Sequence, residues 1–527
     1  MKLKRLLIFM LITVMGFAVF GGCAPKNNDP NTLYIKAYNG GYGLGFLEEV
    51  KKSFEKANPD IKVDIKSIVK NHKVADELLS GKSTTDIYFF HLDMFTYLQR
   101  PMTINGTTYE RILADLTDIY QEKLLDEDVT MLEKMSEDFV EYYSMTDEKT
   151  NQTKYYTVPW ASGQAGLIIN NKLWKSEWQI PKTTDELIAL ADDIKAANMW
   201  PFIYCESDPY WQPYMSVWAA QHDGLEKVNA FRDGYAPDGN RYVPEMMLYE
   251  GLLEGLKVLE VLLKDSNKYV NPYKSSDFTT VQNYFLEGDK KIVININGDW
   301  LEREARSNYS ADEIDITYIK APVISSLGTQ LGITDEELSQ IIDCIDNDKE
   351  MTAFTSTEGY TNEEVVERVK QARSLNISVS GSHTAWIPAY SSKVDMAKKF
   401  LQYMATDEGI KAYVKGSKGY VPPYQFDYVG NQETSSHMSS FMKDVNTILT
   451  NSFDKNNDKD RYFFFKQDKN RIFCLGGLRQ INIGKPVESY LAAVNPKDYK
   501  DAQGVFDENY DKVKAAWMTT ILNAGLN

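Results

Sequence analysis

Histidine and cysteine are scarce in this sequence, which argues against most metal and redox chemistry. Only 5 His and 4 Cys occur in 527 residues, and no two cysteines have the Cys-x-x-Cys spacing of zinc and dithiol sites. Cys205, Cys344 and Cys474 are predicted to be buried free thiols. We therefore expect neither a metal nor another cofactor.

Positive charge is also in short supply. The chain has 58 Lys and Arg against 75 Asp and Glu, a formal net charge of −17. A field of this sign repels the phosphates of nucleic acids and anionic lipid headgroups. Nucleic acid is therefore excluded as an expected partner, and a neutral or cationic solute is weakly favoured.

One apolar run stands at the amino terminus, where residues 6–20 follow a basic start with Lys2, Lys4 and Arg5. Its length is too short for a bilayer span and typical of a signal-peptide core. Residues 1–22 are therefore predicted to be a signal peptide, and the polar residues 23–31 a tether.

The small residues Gly21 and Gly22 before Cys23 resemble the lipobox of bacterial lipoproteins, although Phe20 stands where an aliphatic residue is usual. In that motif the cysteine receives diacylglycerol and becomes the first mature residue. The resemblance implies lipidation of Cys23 and a protein held at the outer side of the cell membrane. Cleavage and release is the alternative.

Aromatic residues, by contrast, are abundant, with 33 Tyr and 9 Trp. Alternating strands and helices in residues 33–90 predict a parallel β-α-β-α-β unit. Ligands of such sheets bind at the carboxyl ends of the strands. Candidate ligand-binding residues at those ends are Tyr38, Asn39, Tyr42, Phe90 and Asp93.

Residues 284–300 predict a second unit of this kind. An amphipathic helix ends at Gly288, a buried strand begins at Ile292, and the strand breaks at Gly298, just before Asp299 and Trp300. A glycine at this point lets the backbone approach a ligand closely. Asp299 and Trp300 are therefore candidate ligand-binding residues, and the simpler alternative is a surface Trp packed on its neighbour.

Three further Trp and one Tyr follow other predicted strands. Trp160, Tyr210, Trp211 and Trp386 are candidates on this ground, and core packing is an equally good explanation for Trp211 and Trp386. The acidic loop 454–460 has only part of a calcium-loop pattern, so we expect no calcium there.

Several segments occur in one order along nearly the whole chain: residues 39–42, 54–63, 85–89, 167–174, 181–187, 206–210, 288–300, 397–401 and 406–410. In this order they resemble family 1 of the bacterial extracellular solute-binding proteins, which includes the maltose-binding protein and other sugar receptors of ABC importers. No single segment is diagnostic.

The resemblance implies an α/β protein with the two-lobed type II periplasmic-binding-protein fold. Each lobe is then a mostly parallel sheet flanked by helices, and a hinge joins the two. Residues 32–157 with 394–450 are predicted to form the first lobe, and residues 158–393 with 451–527 the second. The acidic, mostly helical residues 325–380 form an insertion relative to the smaller members.

The resemblance also implies roles for matching residues. Trp300 occupies the position of the ring-stacking Trp, Tyr210 matches a second aromatic, and Phe90 and Asp93 match an aromatic and a hydroxyl-binding carboxylate. Phe473 is the best match for an aromatic near the C-terminus. Such residues suit a pyranose, whose C–H faces stack on rings and whose rim hydroxyls bind carboxylates.

We therefore expect a lipid-anchored, monomeric receptor, not an enzyme, that captures a carbohydrate, in particular an oligosaccharide, and delivers it to the permease subunits of an ABC importer. Two alternatives stay open. The same fold could bind a peptide, a polyamine or another solute, or the protein could be a surface glycoside hydrolase.

Overall fold

The computed structural model describes residues 29–524 apart from 69–73, 92–100, 105, 148–149, 206–209, 233, 265–267, 274, 276, 378–382, 454–460, 464–486 and 494–496. The predicted signal peptide lies outside the described residues. So do the acidic loop 454–460, Cys23, Asp93 and Phe473.

The strands of the described residues are short. They are β1 (Thr32–Tyr38), β2 (Lys62–Ile68), β3 (Ile87–His91), β4 (Met102–Ile104), β5 (Thr107–Tyr109), β6 (Met145–Asp147), β7 (Gln152–Lys154), β8 (Val158–Pro159), β9 (Ala165–Asn170), β10 (Trp200–Ile203), β11 (Ile292–Gly298), β12 (Ile316–Ile319), β13 (Leu375–Ile377), β14 (His383–Trp386) and β15 (Arg461–Phe463).

The α-helices account for more of the chain. They are α1 (Gly45–Ala57), α2 (Val74–Leu79), α3 (Thr117–Gln121), α4 (Met131–Lys134), α5 (Glu137–Tyr143), α6 (Thr184–Ala196), α7 (Trp211–Arg232, broken at Gly224), α8 (Glu250–Leu263), α9 (Phe278–Glu287), α10 (Leu301–Ala305), α11 (Ser326–Leu331), α12 (Asp335–Asp346), α13 (Asn362–Ser374), α14 (Val394–Tyr403), α15 (Asp407–Ser417), α16 (Gln432–Ser435), α17 (Ser440–Phe453), α18 (Val487–Leu491) and α19 (Ala502–Ala524).

The first sheet has the strand order β2-β1-β3-β14-β8. Ile35 of β1 pairs with Ile65 on one side and Ile87 on the other, both in parallel. Within this sheet only β14 is antiparallel to the other strands. Residues of β1 alternate between buried and half-buried, as expected of a strand with one face in the core. The carboxyl end of β1 leads into the glycine turn before α1.

The second sheet has the strand order β10-β11-β9-β12, and only β9 runs against the rest. The predicted helix, turn and buried strand of residues 284–300 are confirmed. Gly288 ends α9 in the left-handed conformation, with φ 77°, and all seven residues of β11 are buried. A strand buried along its whole length has both faces of its sheet covered.

Two apolar cores cover the faces of these sheets. One surrounds the first sheet and reaches one face of the second, where Phe441 of α17 meets Tyr318 of β12 with ring centroids 6.3 Å apart. The other covers the opposite face of the second sheet with α7, α8, α12 and α13. The described part of residues 325–380 is therefore integrated into a core through side chains such as Leu338 and Val365.

Sheet membership differs from the predicted lobe division at two strands. The predicted boundaries assigned β8, at residues 158–159, and residues 383–386 to the second lobe. In the structure β14 is hydrogen-bonded to β3 and β8 to β14, so both strands belong to the first sheet. A strand that returns late in the sequence can join an early sheet, and local sequence pattern does not record that pairing. The remaining lobe boundaries stay a prediction.

Of the three cysteines predicted to be buried free thiols, Cys205 and Cys344 are confirmed, and Cys474 lies outside the described residues. Within the described residues, no helix combines the length and the apolar character needed to cross a bilayer, and no group of three potential metal ligands is assembled.

We expect Gly416→Ala to lower the free energy of unfolding by about 1–3 kcal/mol, the usual cost of overpacking. A Cβ at Gly416 would lie 2.1 Å from the Gly45 carbonyl oxygen, at the crossing of α15 with α1. Backbone cannot move aside as a side chain can. Equilibrium urea unfolding, followed by circular dichroism, measures the change.

Gly504→Ala is the matched control, because its Cβ would contact only side-chain atoms of Asp501 and Lys500. It should leave stability unchanged or raise it slightly through helix propensity. Equal stability of Gly416→Ala and the wild type would show that the helix crossing is not as tight as described.

Candidate functional site

Four of the predicted site residues meet where β1 and β11 end. The Tyr42 ring lies edge-on to Trp160 and to Trp300, with centroids 6.0 and 6.3 Å away. Tyr210 lies beside Trp300, with a centroid separation of 6.1 Å and an interplanar angle of 44°. The residues that the two sheets place at their strand ends thus form one aromatic cluster.

Glycine allows Trp300 to take its position in this cluster. A Cβ at Gly298 would lie 2.2 Å from the Trp300 ring, so the ring folds back over the end of β11. On the other side, a Cβ at Gly41 would be 3.4 Å from the Trp300 Cβ. The turn after β1 therefore packs directly against the start of α10. Trp300 itself is half-buried.

Asp299 is buried beneath the cluster and connects its two sides. One carboxylate oxygen accepts a hydrogen bond from the Tyr42 hydroxyl at 3.2 Å, and the other from the Gln164 backbone N–H at 3.3 Å. The Tyr420 hydroxyl donates to the Asp299 carbonyl at 2.9 Å. Burial of the carboxyl group raises its pKa to about 7, against the hydrogen bonds that lower it.

The structure adds residues that the sequence did not single out. Tyr420 and His383 contact Tyr42 edge-on, with centroids 5.1 and 5.2 Å away. His383 also lies 4.9 Å from the Trp160 ring. Tyr420 comes from the C-terminal part of the chain, where Phe473 was the expected aromatic. The available signal was the run Gly419-Tyr420-Val421-Pro422, in which a Tyr follows a glycine and precedes a proline by two positions.

Three predicted site residues lie in the cores instead of the cluster. Trp211, Trp386 and Phe90 are each 0% exposed. Trp211 packs on Phe202 at 5.5 Å, and Phe90 on Tyr88 at 5.6 Å. In this conformation the three rings have no surface on which a solute could stack. Core packing, the alternative for Trp211 and Trp386, applies.

Tyr38 and Asn39 lie at the end of β1, on the edge expected for them. Tyr38 is half-buried, and its ring covers Gly40, whose Cβ would lie 2.4 Å from it. Asn39 is exposed, and its backbone N–H donates to the Ile68 carbonyl at 2.9 Å. Asp93, the predicted carboxylate, and Cys23, the predicted lipidation site, lie outside the described residues.

The cluster encloses little space. The gap lined by Tyr42, Ser162, Asp299 and Tyr420 is too narrow to admit a water molecule, whereas ligand pockets begin at roughly 300 Å³. Trp160 contacts Tyr42, and the Gln164 backbone binds Asp299. Among the described residues, the Trp160 Nε1 and the side-chain amide of Gln164 are buried without a hydrogen-bond partner. A solute could reach these groups only if the two strand ends moved apart.

Comparison with known proteins identifies the family of this chain. The family model described as bacterial extracellular solute-binding protein matches residues 49–425. No curated protein sequence matches the chain significantly.

The chain is similar in structure to solute-binding proteins that have been solved. They include RafE in complex with raffinose, with a TM-score of 0.55, 16% identity and coverage of 92% of this chain and 99% of that one. The apo form of RafE from Streptococcus pneumoniae has a TM-score of 0.57, 17% identity and coverage of 93% and 99%.

A third is AcbH, a bacterial solute receptor with an exclusive substrate preference for β-D-galactopyranose. It has a TM-score of 0.56, 12% identity and coverage of 92% of this chain and 100% of that chain. At these identities the likeness shows the fold: an α/β protein with two lobes of the solute-binding type.

We expect the stability of the wild type to fall, relative to Asp299→Asn, as pH rises from about 4 to about 7. Burial raises the pKa of Asp299 from 3.8 to about 7, so the folded protein binds a proton in this range that the unfolded chain has lost. Urea unfolding at a series of pH values gives the two curves.

The difference between the curves isolates Asp299, because other buried titrating groups, such as His222 and Asp223, are present in both proteins. Parallel curves would mean that the Asp299 carboxyl does not titrate in this range.

Proposed function

Because the chain belongs to the bacterial extracellular solute-binding proteins, we propose that it is the carbohydrate receptor of an ABC importer. It captures a sugar, in particular an oligosaccharide, between its two lobes and delivers it to the permease subunits. Lipid on Cys23 anchors it to the outer side of the cell membrane, and it works as a monomer without catalysis.

The aromatic cluster around Trp300 is the observation that carries this proposal. Its rings stand at the carboxyl ends of strands in both sheets, the position at which α/β sheets hold ligands. Trp300 and Tyr210 are half-buried, so each retains surface on which the C–H face of a pyranose can stack. Among the solved relatives, RafE was crystallised with raffinose.

Buried polar groups beside the rings supply the second half of sugar recognition. The Gln164 amide and the Trp160 Nε1 have no partner within the described residues, and such groups cost about 1–3 kcal/mol each when left unsatisfied. Rim hydroxyls of a sugar can donate to and accept from them. These groups therefore favour a polar solute with many hydroxyls over an apolar one.

Binding then requires a change of conformation. The gap in the cluster is too small for a sugar, so the receptor must open at the Tyr42 to Asp299 contact and close again around the solute. A ligand shifts this equilibrium only by its difference in affinity for the two states. Stacking on rings from both sheets provides that difference, because it is complete only when the lobes are closed.

Isothermal titration against a panel of mono- and oligosaccharides tests the proposal. At least one glycan should bind with a micromolar Kd, about −8 kcal/mol, and mass spectrometry should recover it intact. No binding to any glycan at millimolar concentration would contradict carbohydrate recognition, and binding of a peptide or polyamine instead would replace it. Cleavage of the glycan would make the protein a hydrolase.

We expect Trp300→Ala to weaken binding of that glycan at least tenfold, about 1.4 kcal/mol or more, because it removes the stacking surface. Apo thermal stability should change little. Trp174→Ala is the control, since Trp174 is also half-buried but packs on Trp178, 5.6 Å away, outside the cluster. Unchanged affinity with a large loss of stability in Trp300→Ala would give Trp300 a packing role only.

A further inference from the structure

A second, larger cavity adjoins the aromatic cluster. It measures about 390 Å³ and lies between α10 and the segments that follow α15 and α16. Tyr420 lines both this cavity and the narrow gap beside Asp299, so the two spaces share a wall. The other lining residues are Glu302, Arg303, Arg306, Lys418, His437 and Ser439.

The cavity has an excess of positive charge. Its single carboxylate, Glu302, is already engaged: one oxygen pairs with Arg306 at 2.6 Å and the other accepts from the Ser439 hydroxyl at 2.6 Å. Arg303 and Lys418 have no carboxylate within ion-pair distance among the described residues. Two uncompensated cations thus face one cavity in a chain whose formal net charge is −17.

Arg303 is held on the same side of α10 as Trp300. Residues three apart lie on one face of a helix, and both side chains border the glycine turn after β1. A Cβ at Gly43 would meet the Arg303 guanidinium at 2.5 Å, and Gly43 has φ 63°, in the left-handed region. Glycine at this position therefore leaves the guanidinium room beside the turn that carries Tyr42.

We propose that this cavity receives the anionic group of an acidic sugar, either the carboxylate of a uronate or a sulfate ester. The proposal rests on the carbohydrate function above and narrows its substrate class. Arg303 presents a planar fork that suits two acceptor oxygens, and Lys418 adds a point charge. Charge-assisted hydrogen bonds of this kind are stronger than neutral ones, so the acid group contributes to selectivity.

The test uses matched glycans: galactose oligomers, the corresponding galacturonate oligomers and sulfated galactose oligomers, titrated into the full-length mature protein. The wild type should bind an acidic member at least tenfold more tightly than its neutral counterpart. Whether the uronate or the sulfated form is preferred identifies the group. Raising salt should weaken binding of the acidic member only.

Arg303→Gln and Lys418→Asn should each remove most of the preference for the acidic member and leave neutral binding unchanged. Asn tolerates the left-handed backbone of Lys418, φ 69°. Lys66→Gln makes the same charge change on an exposed residue of β2 and should retain the preference. Circular dichroism melts confirm that each variant is folded.

The outcomes separate the two proposals. Tight binding of neutral glycans with no acidic preference, or a preference that Arg303→Gln and Lys418→Asn retain, overturns the acidic-sugar inference and leaves carbohydrate recognition intact. Failure of every glycan overturns carbohydrate recognition. In that case inorganic sulfate tests, without any sugar, whether Arg303 and Lys418 bind an anion. A rise in Tm for the wild type but not for Arg303→Gln supports an anion site, and no rise overturns it.

Discussion

The buried hydrogen bond between Tyr42 and Asp299 is the constraint on which the arrangement of this protein depends. It connects the carboxyl end of β1, in the first sheet, to that of β11, in the second. Because Asp299 lies between Gly298 and Trp300, burying its carboxyl group also fixes the direction of the Trp300 ring. The cost of desolvation is visible in the raised pKa. One contact therefore sets the distance between the sheets and the geometry of the aromatic surface.

Sequence pattern anticipated the parts of the fold that depend on local periodicity. The helix, turn and buried strand of residues 284–300 follow from a glycine stop and an apolar run, and they place Trp300 at a strand end. Strand pattern alone did not distinguish this Trp from Trp211 or Trp386, because all three follow a strand signal. What separates them is burial: Trp300 is half-buried, whereas Trp211 and Trp386 lie in the cores with no exposed surface.

Long-range packing also explains what the sequence missed. Tyr420 reaches Tyr42 from a loop after α15, and β14 returns to the first sheet after the whole of the second. Neither pairing has a local signature. The same holds for the cavity charges: Glu302 forms an ion pair with Arg306, one turn away, and accepts a hydrogen bond from Ser439, which is 137 positions later. An inventory of acidic residues along the chain cannot show which of them are already paired.

The short helix α10 has a consequence for the size of solute that fits. Trp300 stands at its N-cap and Arg303 three residues further on, so the two Cα atoms are about 4.5 Å apart along the helix axis. One short helix therefore carries both proposed contacts, the stacking ring and the anion-binding guanidinium. If both bind as proposed, the site favours solutes in which the spacing between ring face and acid group matches this turn, and a re-linked glycan of the same composition binds less tightly.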